Sequence, residues 1–193
     1  KHKKEIRTYR THANARSAKS FWVDLDVDPE NPDKYASREE AVADIKRLVG
    51  LGMPVPTIIS SGGGLHLYWP LKEELLADQW LKFAGYLKSA LHGVAIKQDM
   101  TRTADISSIL RPPTTHNRKN GVEREVKLIA LHGPYDLGKL FDAMRKVARH
   151  AQTPIKNPIN TRKPVDSVLD ISVLDYNGPP ANANKIAEHC PQL

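Results

Sequence analysis

The run Phe21-Trp22-Val23-Asp24-Leu25-Asp26-Val27-Asp28 constrains this chain more than any other stretch. Alternation over eight residues reads as a β-strand, because successive side chains on a strand point to opposite faces. Asp24 and Asp26 therefore project from the same face, with Cα atoms about 6.5–7 Å apart. Their apolar neighbours place the strand largely inside a core. An unpaired buried charge is expensive, so two such carboxylates call for a metal or a cationic partner. Two acids at this spacing can converge on divalent ions, and paired Mg²⁺ sites use bridging carboxylates. A half-exposed strand with a polar face is the plain alternative, although Asp is a poor strand former. An EF-hand loop is excluded, because its sixth and twelfth positions would be Pro29 and Tyr35 instead of Gly and Glu. Many metal-dependent sugar transferases also carry Asp-x-Asp, and the motif alone does not separate them.

The remaining pattern gives the fold class. Pro29, Asn31 and Pro32 end the strand, and Ser37 with Glu40 forms a capping-box signal. Ala41, Ile45, Leu48 and Val49 then predict a helix to about Gly52. Short strands are predicted at Thr57–Ile59 and Leu65–Trp69, a helix from Glu73 to Leu91, a strand over Glu125–Leu131 and an amphipathic helix from Leu137 to His150. Hairpins and helices are mixed, so the class is α+β rather than doubly wound. The compact domain is placed at about residues 8–150. From Gln152 onward prolines and asparagines predict a linker, and residues 151–193 hold it and the start of a C-terminal extension, with a short element at Asp166–Asp175 and a helix start at Asn182–Cys190. The absence of an initiator Met suggests an excerpt from a longer protein.

Charge is unevenly distributed along the 193 residues. The total is +7, but residues 1–20 and 145–163 each carry +6, whereas residues 21–100 carry −4. Basic flanks around an acidic centre suit a phosphate backbone, or simply a solvated tail and helix face. The single cysteine, Cys190, excludes a disulfide framework and a cysteine-based zinc site. No apolar run approaches a membrane span, and no hydrophobic segment follows the basic start as in a secretory signal. A cytoplasmic, soluble protein with no membrane partner is expected.

Two further segments carry chemistry. Gly62-Gly63-Gly64 precedes His66, where glycines let backbone approach a ligand and the imidazole can face a phosphate. Without Gly-Lys-Ser/Thr this is not a P-loop, and without a second nearby histidine it is not a His-hydrophobe-His nuclease site. On its own it also reads as a glycine-rich hairpin. The third segment begins at Asp99 and continues through Arg102, Asp105, Arg111, Pro112, Pro113, Thr115, Asn117, Arg118 and Lys119. Its arginines and lysine can oppose phosphates, and its prolines stiffen the turn. Taken alone, it is an ordinary surface loop.

In this order, strand Asp-x-Asp, then the Ser-Gly-rich turn leading to His66-Leu67-Tyr68-Trp69, then Asp99 with Arg111-x-Pro-x-Thr-x-Asn-x-Lys119, the chain resembles the archaeo-eukaryotic primase superfamily. It is most similar to the primase–polymerase domains of phage and plasmid replication proteins, over about residues 8–135. The resemblance implies a catalytic core with an RNA-recognition-motif-like sheet and a small αβ unit. It implies that Asp24, Asp26 and Asp99 bind two Mg²⁺ or Mn²⁺ ions. It also implies that His66, Arg111 and Lys119 bind the nucleotide's phosphates, with Asn117 shaping that nucleotide-binding loop and Asp105 in a supporting role. Arg16 and Lys19 lie where template or nucleotide could approach. Relatives usually have Gly after the second proline, where this chain has Thr114.

The implied activity is template-dependent nucleotidyl transfer, as a DNA primase, a DNA polymerase or both, in phage or plasmid replication. The implied partners are a single-stranded DNA template, NTPs or dNTPs, and a helicase domain in the same polypeptide. The alternatives are a non-catalytic nucleic-acid-binding module of a replication initiator and a metal-dependent nuclease using the same acids.

Overall fold

The computed structural model describes residues 11–152. The elements expected at 166–175 and 182–190 lie outside the described residues.

The alternating acidic run forms strand β1 (Ser17–Asp26), with Phe21, Val23 and Leu25 fully buried and Trp22, Asp24 and Asp26 on the opposite face. Helix α1 (Arg38–Gly50) follows, and its start has the expected capping box. The Glu40 amide donates to Ser37 Oγ at 3.2 Å, and the Ala36 amide donates to the Glu40 carboxylate at 2.8 Å. Strand β2 (Thr57–Ser60) leads through the glycine turn into strand β3 (Gly64–Leu76). β1 and β2 flank β3, and each pairs antiparallel with it, so α1 is the crossover of a split β-α-β unit. Helix α2 (Ala77–Gly93) comes next. A long loop then carries a two-stranded hairpin, β4 (His116–Asn117) with β5 (Arg124–Glu125). Strand β6 (Lys127–Ala130) joins the far side of β2, giving a four-stranded antiparallel sheet in the order β1-β3-β2-β6. Helix α3 (Leu137–Arg149) closes the described chain. The class is α+β, as the sequence predicts.

The helices cover one face of the sheet. Phe21 stacks on Trp80 of α2 at 5.8 Å between ring centroids, and Phe141 of α3 meets Phe83 and Tyr86 of α2 edge-on at 5.1 and 5.2 Å. Full burial of each such side chain stabilises by about 1.5–3 kcal/mol. The acids of β1 thus point away from the helical layer.

Two predicted boundaries are corrected. The helix expected from Glu73 begins at Ala77, because β3 continues through Leu76 to pair with Ser17 and Ala18 across a bulge. Leu76, at the helix cap, supplies no side-chain acceptor, and the Ala77 amide donates instead to the Arg16 carbonyl at 2.8 Å. Without a capping residue the sequence carries no local start signal, and the helix-favouring Lys72-Glu73-Glu74 is overridden by strand pairing. The strand expected over Glu125–Leu131 is split at buried Val126, whose amide and carbonyl both bond the Thr114–Thr115 backbone. Its first part serves the hairpin and its second the main sheet.

Candidate active site

Strand register brings the first two motifs together. Asp24 lies opposite His66, and Asp26 opposite Gly64, across the β1–β3 pair. That register needs glycine at 64, because a Cβ there would sit 2.2 Å from the Leu25 carbonyl oxygen. His66 is 2% exposed, and its Nε2 is 3.7 Å from Asp24 Oδ1, beyond hydrogen-bond reach. Asp24 Oδ1 and His66 Nδ1 are both buried without a hydrogen-bond partner. Burial, reinforced by the charges of Asp26 and Asp99, pushes the Asp24 carboxyl up to about 7, against the pull of Arg111 and Arg102. Burial, with Arg111 nearby, pushes the His66 imidazole down to about 4. His66 is therefore a neutral ring at pH 7, able to donate from one nitrogen and accept at the other.

The third acid arrives by a non-local route. The Asp99 amide donates to the Asp24 carbonyl at 2.8 Å, and the Trp22 indole donates to the Arg102 carbonyl at 3.2 Å. Residues 99–102 thereby line the free edge of β1. Asp99 Oδ1 accepts from the Thr101 amide and hydroxyl, both at 2.7 Å, and from the Arg102 amide at 3.2 Å. Burial opposes ionisation of Asp99, but these bonds outweigh it and lower its pKa. Asp105 is occupied by its own turn. Burial again works against the carboxylate, and the Ser107 and Ser108 hydroxyls and the His12 ring hold its pKa well below the usual range.

The hairpin and the loop before it supply the opposing charge. Asn117 is buried and ties the hairpin to the glycine turn: its Nδ2 donates to the Ser61 carbonyl at 3.0 Å, and its Oδ1 accepts from the Lys119 amide at 3.0 Å. The hairpin can approach because position 62 has no side chain. A Cβ on Gly62 would lie 2.9 Å from Arg124 Cβ and 3.0 Å from Asn117 Cβ, at a φ of +79°. The result is a cavity of about 640 Å³ whose lining includes Asp24, Asp26 and Asp28, the cations of Arg102, Arg111 and Lys119, and His66. Asp99 lies in an adjoining depression that shares Asp26 and Lys34 with this cavity. Arg118 is turned to Glu123, 3.4 Å away, and does not line the cavity.

Sequence reasoning passed over Lys34, Arg38 and Arg124. Lys34 Nζ lies 3.1 Å from Asp26 and 3.9 Å from Asp28, because the loop after β1 returns to bridge Val27 with Tyr35. Arg124 lies one residue before the strand predicted over Glu125–Leu131, and its placement depends on the hairpin.

The acids fit divalent ions in part. Asp24 offers a buried, unpartnered oxygen, and Asp26 and Asp99 are close enough to raise its pKa. A bound cation would relieve that repulsion. Among the described residues no three histidine, cysteine or carboxylate side chains stand as a preformed ligand group, and Asp26 already has Lys34 as its counter-ion. An ion at Asp26 would share that carboxylate with Lys34, whose contact is to Oδ2. No family model, curated protein or solved structure matches the chain.

Proposed function

We propose that this chain is a template-dependent nucleotidyltransferase, a primase–polymerase of the archaeo-eukaryotic primase type. One observation carries the reading: Asp24 and Asp26 share a nucleotide-sized cavity with a set of arginine and lysine side chains, and Asp99, from the adjoining depression, is near enough to act with Asp26 on the Asp24 carboxyl. Such a site suits a ligand that combines divalent cations with a polyanion, as a metal-bound nucleoside triphosphate does. An antiparallel sheet with helices on one face and the acids on the other is compatible with the RNA-recognition-motif-like core that the motifs imply.

In this reading Asp24, Asp26 and Asp99 hold Mg²⁺ or Mn²⁺. Bound ions of this kind lower the pKa of an attacking hydroxyl and neutralise charge on the transferred phosphate. The primer 3′-oxygen attacks the α-phosphorus, the bond to the bridging oxygen breaks, the hydroxyl proton is lost and pyrophosphate leaves. Arg111 and Lys119 balance the triphosphate's charge and fix its line of departure. His66, being neutral, contributes a directional hydrogen bond to the phosphates rather than charge. Lys34, beside Asp26 in the cavity lining, adds a further cation facing the polyanion.

Incubation of a labelled single-stranded template with NTPs, dNTPs and Mn²⁺ tests this. Longer products are expected, and they are lost in folded Asp24→Ala/Asp26→Ala. Shortened strands would identify a nuclease, and unchanged strands a binding module. Polymerisation by the folded double variant would refute the assignment.

A further inference from the structure

A second, smaller recess of about 320 Å³ opens beside the main cavity and shares Val27, Gly63 and Arg124 with it. Its other lining residues are Arg38, Gly62 and Gly64, so two arginines line it and no acidic residue does. Arg38 Nη2 donates to Ser60 Oγ at 3.0 Å, and neither arginine has an acidic partner within 4 Å among the described residues. The amides of Gly62 and Gly63 donate no hydrogen bond there either. Arginine pairs of this kind, next to free backbone amides, recognise phosphate oxygens through charge-assisted, bidentate bonds. The two arginines come from distant places, the first turn of α1 and the start of β5, and the glycine turn is what lets them flank one space.

We propose that this recess binds the terminal phosphate of the nucleoside triphosphate, with Arg38 and Arg124 as its ligands. The inference rests on the nucleotidyltransferase reading and adds to it a way of distinguishing triphosphates from diphosphates. The acids and His66 would hold the reacting end in the main cavity, and the recess would receive the far end through the shared Gly63 boundary. A diphosphate would fill the first and leave the second empty.

Titration calorimetry with Mn²⁺ and the mono-, di- and triphosphate of one nucleoside, the last as a non-hydrolysable analogue, tests the assignment on the full chain. The wild type should prefer triphosphate to diphosphate by about tenfold or more, the scale of one charge-assisted hydrogen bond. Arg38→Gln, which changes the one recess arginine that does not line the main cavity, should lose that preference with monophosphate affinity unchanged, and Arg38→Lys should keep part of it. A retained preference in the Gln variant would overturn the proposal. So would an equal loss for all three nucleotides, or a loss confined to single-stranded DNA binding, which would assign the recess to a nucleic-acid backbone. A wild type that shows the triphosphate preference but extends no primer would leave the recess standing and remove the polymerase reading.

Discussion

Replacing Asp24 by Asn should stabilise the metal-free protein, and the gain should depend on pH in a defined way. Burial, followed by repulsion from Asp26 and Asp99, raises the Asp24 carboxyl from 3.8 to about 7. Below pH 4 the side chain is protonated in both folded and unfolded chains and costs nothing. Between pH 4 and 7 the folded protein retains a proton that the unfolded chain has released, so stability falls as pH rises. At about 1.4 kcal/mol per pH unit, the full cost above pH 7 is about 4 kcal/mol. Asn stays neutral at every pH, so Asp24→Asn and the wild type should be nearly equal at pH 4 and differ by up to about 4 kcal/mol at pH 8. For a chain of this length that is about 8–16 °C in Tm. His66 acts in the opposite direction. Its ring falls from 6.5 to about 4, so both proteins gain stability as pH rises to about 6.5, and the term cancels in the difference. Urea unfolding at pH 4, 6 and 8 gives the curve. Saturating Mn²⁺ should stabilise the wild type and narrow the gap. A difference independent of pH, or a variant less stable than wild type at pH 8, would refute the electrostatic account.

Two further predictions follow from single residues. Thr114 has a φ of +70°, in the left-handed region that a β-branched residue adopts only with strain. Thr114→Gly, which restores the residue usual in the resembled family, should stabilise by about 1 kcal/mol in thermal melts, and a lower Tm would contradict it. Asp105 is held below its unfolded pKa, so its contribution is present above pH 4 and lost as pH falls through the folded value. Asp105→Ala should cost about 1–3 kcal/mol at pH 7, the scale of breaking a charged hydrogen-bond cluster. That deficit should shrink in acid unfolding toward pH 2, and a constant one would show that the turn, not the charge, is responsible.

The parts legible in the sequence are those specified by neighbours along the chain. The Asp24-x-Asp26 alternation and the Ser37–Glu40 box give β1 and α1 because period and cap are local signals. The start of α2 was not legible because Leu76 gives no cap and the decisive partner of the Leu75–Leu76 end is the beginning of β1. In the site, the shared face of Asp24 and Asp26 follows from strand geometry, and the nearness of His66 required the β3 register. The Asp99 position came only from resemblance, since nothing local says that its amide will bond Asp24. Arg38, Arg124 and Lys34 were missed for the same reason: each reaches its place through a fold contact, not a motif.

The outward row of acids on β1 has a consequence for how the chain finds its fold. A one-residue slip of β1 against β3 would exchange faces, turning Asp24 and Asp26 into the layer where Phe21 meets Trp80 and exposing Val23 and Leu25. Two carboxylates would then be dehydrated against aromatic rings, while the Gly64 gap that fits the Leu25 carbonyl would be misplaced. The side chains proposed to hold metal thus also disfavour the competing alignment of this strand pair. A variant such as Asp24→Leu/Asp26→Leu would lose more than its proposed chemistry: it would remove the carboxylates' share of the penalty against the mispaired strand, leaving only the exposure of Val23 and Leu25 and the misfit at Gly64.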